Sequence, residues 1–385
     1  MHTASLPRRI ATLLLCALAP FAAAAQMKVG FIASSTGPTA VVGIPQRNTV
    51  ALLPKKIGAI DVEYIVYDDA SDSTQTVALV KKLITEQNVD AIIGPSGSPN
   101  VMAALQFIAE AKVPLLAPVG TTAAVLPMDE QKRWVFKPTQ NDSLIAEALL
   151  GHMVKKGVKT IGFIGLNDAY GESWYRTFVP MAEKAGIRIT ANERYARTDQ
   201  SVTGQATKII AANPEAVLVG AAGGPTVLPQ TTLVERGYTG QVYQTHGAAT
   251  PDFIRLGGKA VEGTVMAASL MLVLDEIANT NPSKKVVLDY IAAYEKLHGT
   301  KPATFGANVF DAGLLLQQAV PEAARKARPG TVEFRTALRD ALEGTKELVG
   351  TQGVYNMTAQ DHAGFDRRGR VLMQLKGGAW RLIPE

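Results

Sequence analysis

From residue 28 onward the chain alternates short β-branched runs with longer helical patterns, and it does so twice. Strand patterns cover 28–33, 62–68, 89–94 and 113–117, with helical patterns over 44–56, 74–87 and 99–111. Nearly continuous apolar strands separated by helices mark a parallel sheet covered on both faces, because parallel neighbours need a crossover and the crossover helix shields the sheet. The pattern then restarts. Ile161-Gly162-Phe163-Ile164 repeats Val29-Gly30-Phe31-Ile32, and Glu215-Ala216-Val217-Leu218-Val219-Gly220 echoes Asp90-Ala91-Ile92-Ile93-Gly94, each roughly 130 residues on and in the same order. Two similarly built α/β lobes are expected, and 385 residues exceed the ~250–300 at which single cores stop growing. Helical patterns over 283–298, 308–327 and 332–343 follow the second set of strands, so the chain is expected to return to the first lobe. No low-complexity tether separates the two.

Arg8 and Arg9 precede an apolar run over 10–25 that ends in Ala23-Ala24-Ala25. This reads as a secretory signal peptide over 1–25, cleaved before Gln26, with the mature protein in the periplasm. A membrane anchor fits poorly, since Pro20 interrupts a stretch that would need about 20 apolar residues. The only cysteine, Cys16, lies in that segment, so the mature chain has no disulfide to rely on and its stability must come from its core. Lys and Arg number 39 against 34 Asp and Glu, scattered and never longer than doublets such as Lys55-Lys56, which points to no nucleic-acid partner.

Signs of catalysis are missing. No G-x-G-x-x-G follows the first strand, and Gly94-Pro95-Ser96-Gly97 falls one residue out of the G-x-S-x-G pattern. His152, His246, His298 and His362 never approach metal-ligand spacing. Neither a cofactor nor a metal is expected, and binding leads over enzymatic function. Ligands of open parallel sheets bind beyond the carboxyl ends of the strands, which directs attention to 34–36, 96–98, 119–122, 167–170, 221–224 and 245–247. Ser98 before Pro99 reads as an N-cap with proline at the first helical position, and a helix N-terminus attracts anions.

Five segments, Ser35-Thr36-Gly37-Pro38, Tyr67-Asp68-Asp69-Ala70, Ile92-Ile93-Gly94-Pro95, Pro114-Leu115-Leu116-Ala117-Pro118 and Asp168-Ala169-Tyr170-Gly171-Glu172, stand in an order and spacing that resemble the leucine/isoleucine/valine-binding protein family. These are periplasmic receptors of branched-chain-amino-acid-type ABC importers. The resemblance implies a type I periplasmic binding protein: two Rossmann-like lobes with parallel sheets, joined by three hinge crossovers and closing on a small molecule. Lobe one would hold 27–138 and 270–350, and lobe two 139–269 and 351–385. It also implies a membrane permease as partner of a monomeric receptor.

On the same resemblance, Ser98 and Thr121 match the residues that hold the ligand carboxylate, with Val119 in the same loop as Thr121. Tyr170 matches a tyrosine that meets the ligand from lobe two, and Phe305 replaces a tyrosine near the pocket mouth. Two departures stand out. In Gln244-Thr245-His246-Gly247, His246 takes the place of the acid that pairs with an α-ammonium. In Ala221-Ala222-Gly223-Gly224-Pro225, Gly223 marks the place of another tyrosine. A carboxylate without an α-ammonium, aromatic or otherwise bulky, is therefore expected, with His246 or Gln244 meeting a distal polar group. Two alternatives stay open: a branched-chain amino acid with Asp168 turned inward, or a sensor that serves a signalling receptor.

Overall fold

The computed structural model describes residues 26–384; the signal segment read over 1–25 lies outside them. In the first lobe β1 (Gln26–Ala33), β2 (Lys56–Ile57), β3 (Ile60–Asp68), β4 (Ala91–Ile93), β5 (Leu115–Leu116) and β6 (Val135–Phe136) form one sheet, in the order β2-β3-β1-β4-β5-β6. Only the short β2–β3 pair is antiparallel. The second sheet contains β7 (Thr160–Leu166), β8 (Arg188–Tyr195), β9 (Ala216–Gly220), β10 (Gln241–Gln244) and β11 (Val265–Ala268). A separate small ribbon pairs β12 (Leu348–Val349) with β13 (Val354–Tyr355). The C-terminal β14 (Val371–Lys376) and β15 (Ala379–Ile383) then add antiparallel strands to the second sheet, giving the order β15-β14-β11-β10-β9-β7-β8.

The helices are α1 (Ala40–Thr49), α2 (Ser73–Thr85), α3 (Ser98–Ala111), α4 (Asp142–Lys155), α5 (Ala169–Lys184), α6 (Thr203–Ala211), α7 (Val227–Glu235), α8 (Pro251–Gly257), α9 (Pro282–His298), α10 (Thr304–Ala324) and α11 (Val332–Glu343). The helical pattern read over 44–56 is realised as α1 and a short turn, Val50–Leu52. Pro54 has no N–H with which to continue it, and Lys56 already begins β2.

The sequence repeat is a repeat of topology. β1 lies between β3 and β4, and β7 lies between β8 and β9. The glycine shared by the repeated motifs has one physical role in both lobes. A Cβ on Gly30 would lie 2.6 Å from a Leu83 methyl on α2, and one on Gly162 would lie 3.1 Å from an Ile209 methyl on α6. A side chain at Gly30 would force Leu83 to shift, and one at Gly162 would press Ile209 by a few tenths of an ångström, so in both lobes glycine favours close packing of the helix on the central strand.

Alternation along each strand supplies two buried faces per sheet. In lobe one Phe31, Ile93, Leu116 and Phe136 pack with α10 and α11, while Ile32, Ile92, Leu115 and Val135 pack with α2 and α3. Three crossovers join the lobes. The first is residues 137–142, between β6 and α4. The second follows Leu270 and Leu274, which pack with Phe253 and Trp380, and runs through α9, where Tyr290 and Tyr294 bond Thr49 and Asn48 of α1. The third follows Tyr355 and Met357, which pack in the core of lobe one, and leads into β14. The first crossover is tied to the third and to the segment before it, because the Gln140 amide donates to the carbonyls of Gly369 at 2.6 Å and Gln352 at 2.9 Å.

Candidate functional site

The carboxyl ends of both sheets face each other across a narrow cleft whose empty space, including its open mouth, is about 410 Å³. Lobe one contributes Ser96, Gly97 and Ser98 after β4, and Pro118, Val119 and Gly120 after β5. Thr39, Val42 of α1, Thr139 of the first crossover, and Phe305 and Asn308 of α10 complete that wall, and lobe two presents Tyr170, Arg197, Ala222, His246 and Gly247. A more open hollow beside α4 and the C-terminal strands is lined by none of these residues.

Five of the seven residues singled out from sequence, Ser98, Val119, Tyr170, His246 and Phe305, line this one cavity. Thr121 and Gly223 lie just outside its lining. Thr121 is fully buried behind Gly120 with its hydroxyl unpartnered. Gly223 abuts Val41 and Val42 of the opposite lobe, 3.1 and 3.4 Å from where its Cβ would be. Gln244 is also outside, its amide donating to Thr226 O and Gln230 Oε1.

The capping role read for Ser98 is corrected by the structure. Gly97 occupies the N-cap and Ser98 is the first helical residue, making no capping bond. With φ and ψ already committed to the helix, its hydroxyl cannot reach back to a free N–H, so the buried Oγ stays without a protein partner. A buried hydroxyl left so costs about 1–3 kcal/mol.

His246 opens a short turn after β10 and lies between rings, with centroids 6.3 Å from Tyr170 and 5.8 Å from Trp174. Burial, aided by the charge of Lys137, pushes its pKa down to about 3, so it is neutral at pH 7, and its Nδ1 has no partner. Its Nε2 edge rests on Gly120 of the other lobe, 2.3 Å from where a Cβ would be. Tyr170 donates to Thr245 Oγ1 at 3.0 Å, and burial raises its pKa.

Arg197 escaped the sequence reading. It follows β8, a half-buried strand whose residues Arg188–Tyr195 lack the apolar run that marked the others. Applied to that strand, the carboxyl-end rule would have found it. Its Nε donates to Asp168 Oδ2 at 2.6 Å and one Nη to Ala222 O at 3.2 Å. The other Asp168 oxygen caps α5, accepting from the N–H of Tyr170 and Gly171, so this carboxylate is fully engaged outside the cavity. Among the described residues, Arg197 is the one charged side chain lining the cavity and no carboxylate does so.

Beneath the cleft, two buried charges flank the loop after β5. Lys137 and Asp142 are both fully buried; burial lowers the pKa of the first and raises that of the second, while their mutual attraction opposes both shifts. Among the described residues no group of His, Cys, Asp and Glu is placed to hold a metal ion, and no helix is long and apolar enough to cross a membrane.

Similarity to known proteins agrees with this geometry. The chain matches the periplasmic binding protein family over residues 26–379. It is 23% identical over 342 residues to the Leu/Ile/Val-binding protein BraC3 of Rhizobium johnstonii, covering 86% of this chain and 87% of that one. An extracellular ligand-binding receptor from Rhodopseudomonas palustris HaA2 superimposes with a TM-score of 0.90 at 43% identity, over 93% of this chain and 100% of its own. A solute-binding protein of an ABC transporter from R. palustris, crystallised with benzoate, does so with a TM-score of 0.78 at 20% identity, over 93% and 95%. The match spans nearly all of the described residues, and the chain belongs to the periplasmic binding protein family, with the type I fold of two parallel-sheet lobes.

Proposed function

We propose that this protein is the periplasmic solute receptor of an ABC importer, and that its cleft captures an organic carboxylate lacking an α-ammonium, aromatic or similarly bulky. The observation that carries the ligand class is the charge of the lining: one guanidinium and, among the described residues, no acid. An α-amino acid would bring an ammonium into a dry cleft where Asp168 is spent on Arg197 and two backbone N–H groups. Leaving such a charge unpaired costs several kcal/mol. A carboxylate instead meets the free Ser98 hydroxyl, with Tyr170 and Phe305 against its apolar body. His246 and Arg197, on the opposite lobe, are the partners for a distal polar group. The benzoate bound by the R. palustris relative is of this class.

Capture proceeds by closure of the lobes about the three crossovers, since contacts such as His246 on Gly120 exist only when the lobes meet. Delivery is to a membrane permease. The names of curated relatives favour a second reading, a branched-chain amino acid. A thermal-shift panel separates the two: benzoate, phenylacetate and cinnamate are expected to stabilise the protein, and leucine and valine are not. Stabilisation by leucine or valine with none by the aromatic acids overturns the proposal.

A further inference from the structure

The loop after β5 contains an unusual group. Thr121 is fully buried, yet among the described residues neither its N–H nor its hydroxyl finds a partner. Buried backbone N–H groups are rarely left so, and something other than its own sequence must hold this one in place.

Lys137, at the start of the first crossover, supplies the hold. Its Nζ donates to Gly120 O at 2.6 Å and Thr121 O at 3.2 Å on the loop. On the crossover it reaches Gln140 O at 3.2 Å and Asn141 Oδ1 at 2.7 Å. Four oxygens and no donor surround it, so the ammonium form is the one the site satisfies. In a trans peptide the N–H points opposite to the preceding carbonyl. With the carbonyls of Gly120 and Thr121 both drawn to Lys137, the N–H groups of Thr121 and Thr122 must turn to the other side. For Thr122 this is observed: its N–H meets Asp142 Oδ2 at 3.1 Å and Ser173 Oγ at 3.2 Å. The Thr121 N–H is likewise turned away from Lys137, because the Gly120 carbonyl of its peptide is held there, and among the described residues it has no partner.

We infer that Lys137 is a positioning residue for ligand capture: by gripping the carbonyls of Gly120 and Thr121 it turns the Thr121 N–H out as an anion donor and seats Gly120 where His246 docks. The donor role rests on the carboxylate reading above; the shaping of the loop does not. Asp142, the first residue of α4, holds the far side of the same loop through Thr122 and through Ser173 at 2.6 Å. Loop and crossover are thereby one unit, which ties the anion site to the hinge.

The test compares wild type with Lys137→Met and with Lys137→Met/Asp142→Asn, a near-isosteric pair that avoids stranding the Asp142 carboxylate if the single variant fails to fold. Hydrogen exchange is followed in peptides covering residues 118–126 of ligand-free protein, and affinity is measured for benzoate beside benzamide. The expected result is exchange at least tenfold faster in that loop with β7 and β9 unchanged, and a preference for benzoate over benzamide that falls at least tenfold. Loop exchange equal to wild type in a folded variant overturns the inference, and so does an unaltered preference. If wild type binds neither probe, the ligand class fails while the exchange comparison still decides the role of Lys137.

Discussion

Gly120→Ala should impair ligand capture without unfolding either lobe. The added methyl would stand 2.3 Å from His246 Nε2, 2.7 Å from His246 Cε1 and 3.3 Å from Tyr170 Cε2. The first two separations are shorter than any carbon–nitrogen or carbon–carbon contact tolerates, so something must move. The imidazole has little room to do so, being set between Tyr170 and Trp174. Overpacking of this kind costs about 1–3 kcal/mol. Because Gly120 is on one lobe and His246 on the other, the cost falls on the closed state alone, and affinity drops by about 5- to 150-fold at 1.4 kcal/mol per decade. Calorimetry against whichever acid the panel selects reads the loss. Small-angle scattering should show the same compaction as wild type but at higher ligand concentration, with the ligand-free melting temperature unchanged. In a His246→Ala background the ring is gone, and Gly120→Ala should then cost almost nothing. Wild-type affinity in the single variant, or the same loss with and without the ring, would falsify this account of closure.

Ser98→Ala removes a hydroxyl that has no protein partner, so folding stability should hold. A hydrogen bond to a charged group contributes about 1.5–3 kcal/mol, and benzoate-type ligands should bind at least tenfold more weakly by calorimetry; an unchanged Kd removes Ser98 from the site. Affinity should also fall on acidification. Opening lets His246 return toward its ordinary pKa of 6.5, whereas closure holds it at about 3. The open form therefore takes up a proton below pH 6.5 and the closed form does not, so binding is full above that pH and about tenfold weaker at pH 5.5, where a carboxylic acid is still ionised. The slope should vanish in His246→Gln, and a wild-type profile flat between pH 7.5 and 5.5 contradicts the proposed closure.

The two-lobed α/β architecture was legible because parallel strands buried on both faces must read as apolar runs, and because the same short run, glycine included, recurs where helices α2 and α6 cross close to the central strand. The cleft was legible in part, since loops at the carboxyl ends of strands meet wherever two such sheets face each other. That rule reached Ser98, Val119, Tyr170 and His246, while Phe305, on a helix, was reached only through the family resemblance. It missed Arg197 because β8 is only half-buried and has no apolar run to announce it.

What tertiary structure decided was the state of each polar group. Whether Ser98 caps its helix depended on which residue occupies the N-cap, a matter of backbone angles at Gly97. Whether Asp168 could serve an ammonium depended on Arg197, 29 residues away, folding back upon it. Lys137 and Asp142 look in sequence like any surface pair, and only the convergence of two lobes and a crossover buries them with their partners. Local pattern sets which segments are strands and helices; the charge, protonation and free hydrogen bonds of a cleft arise from contacts between segments far apart in the chain, and those exist only once it has folded.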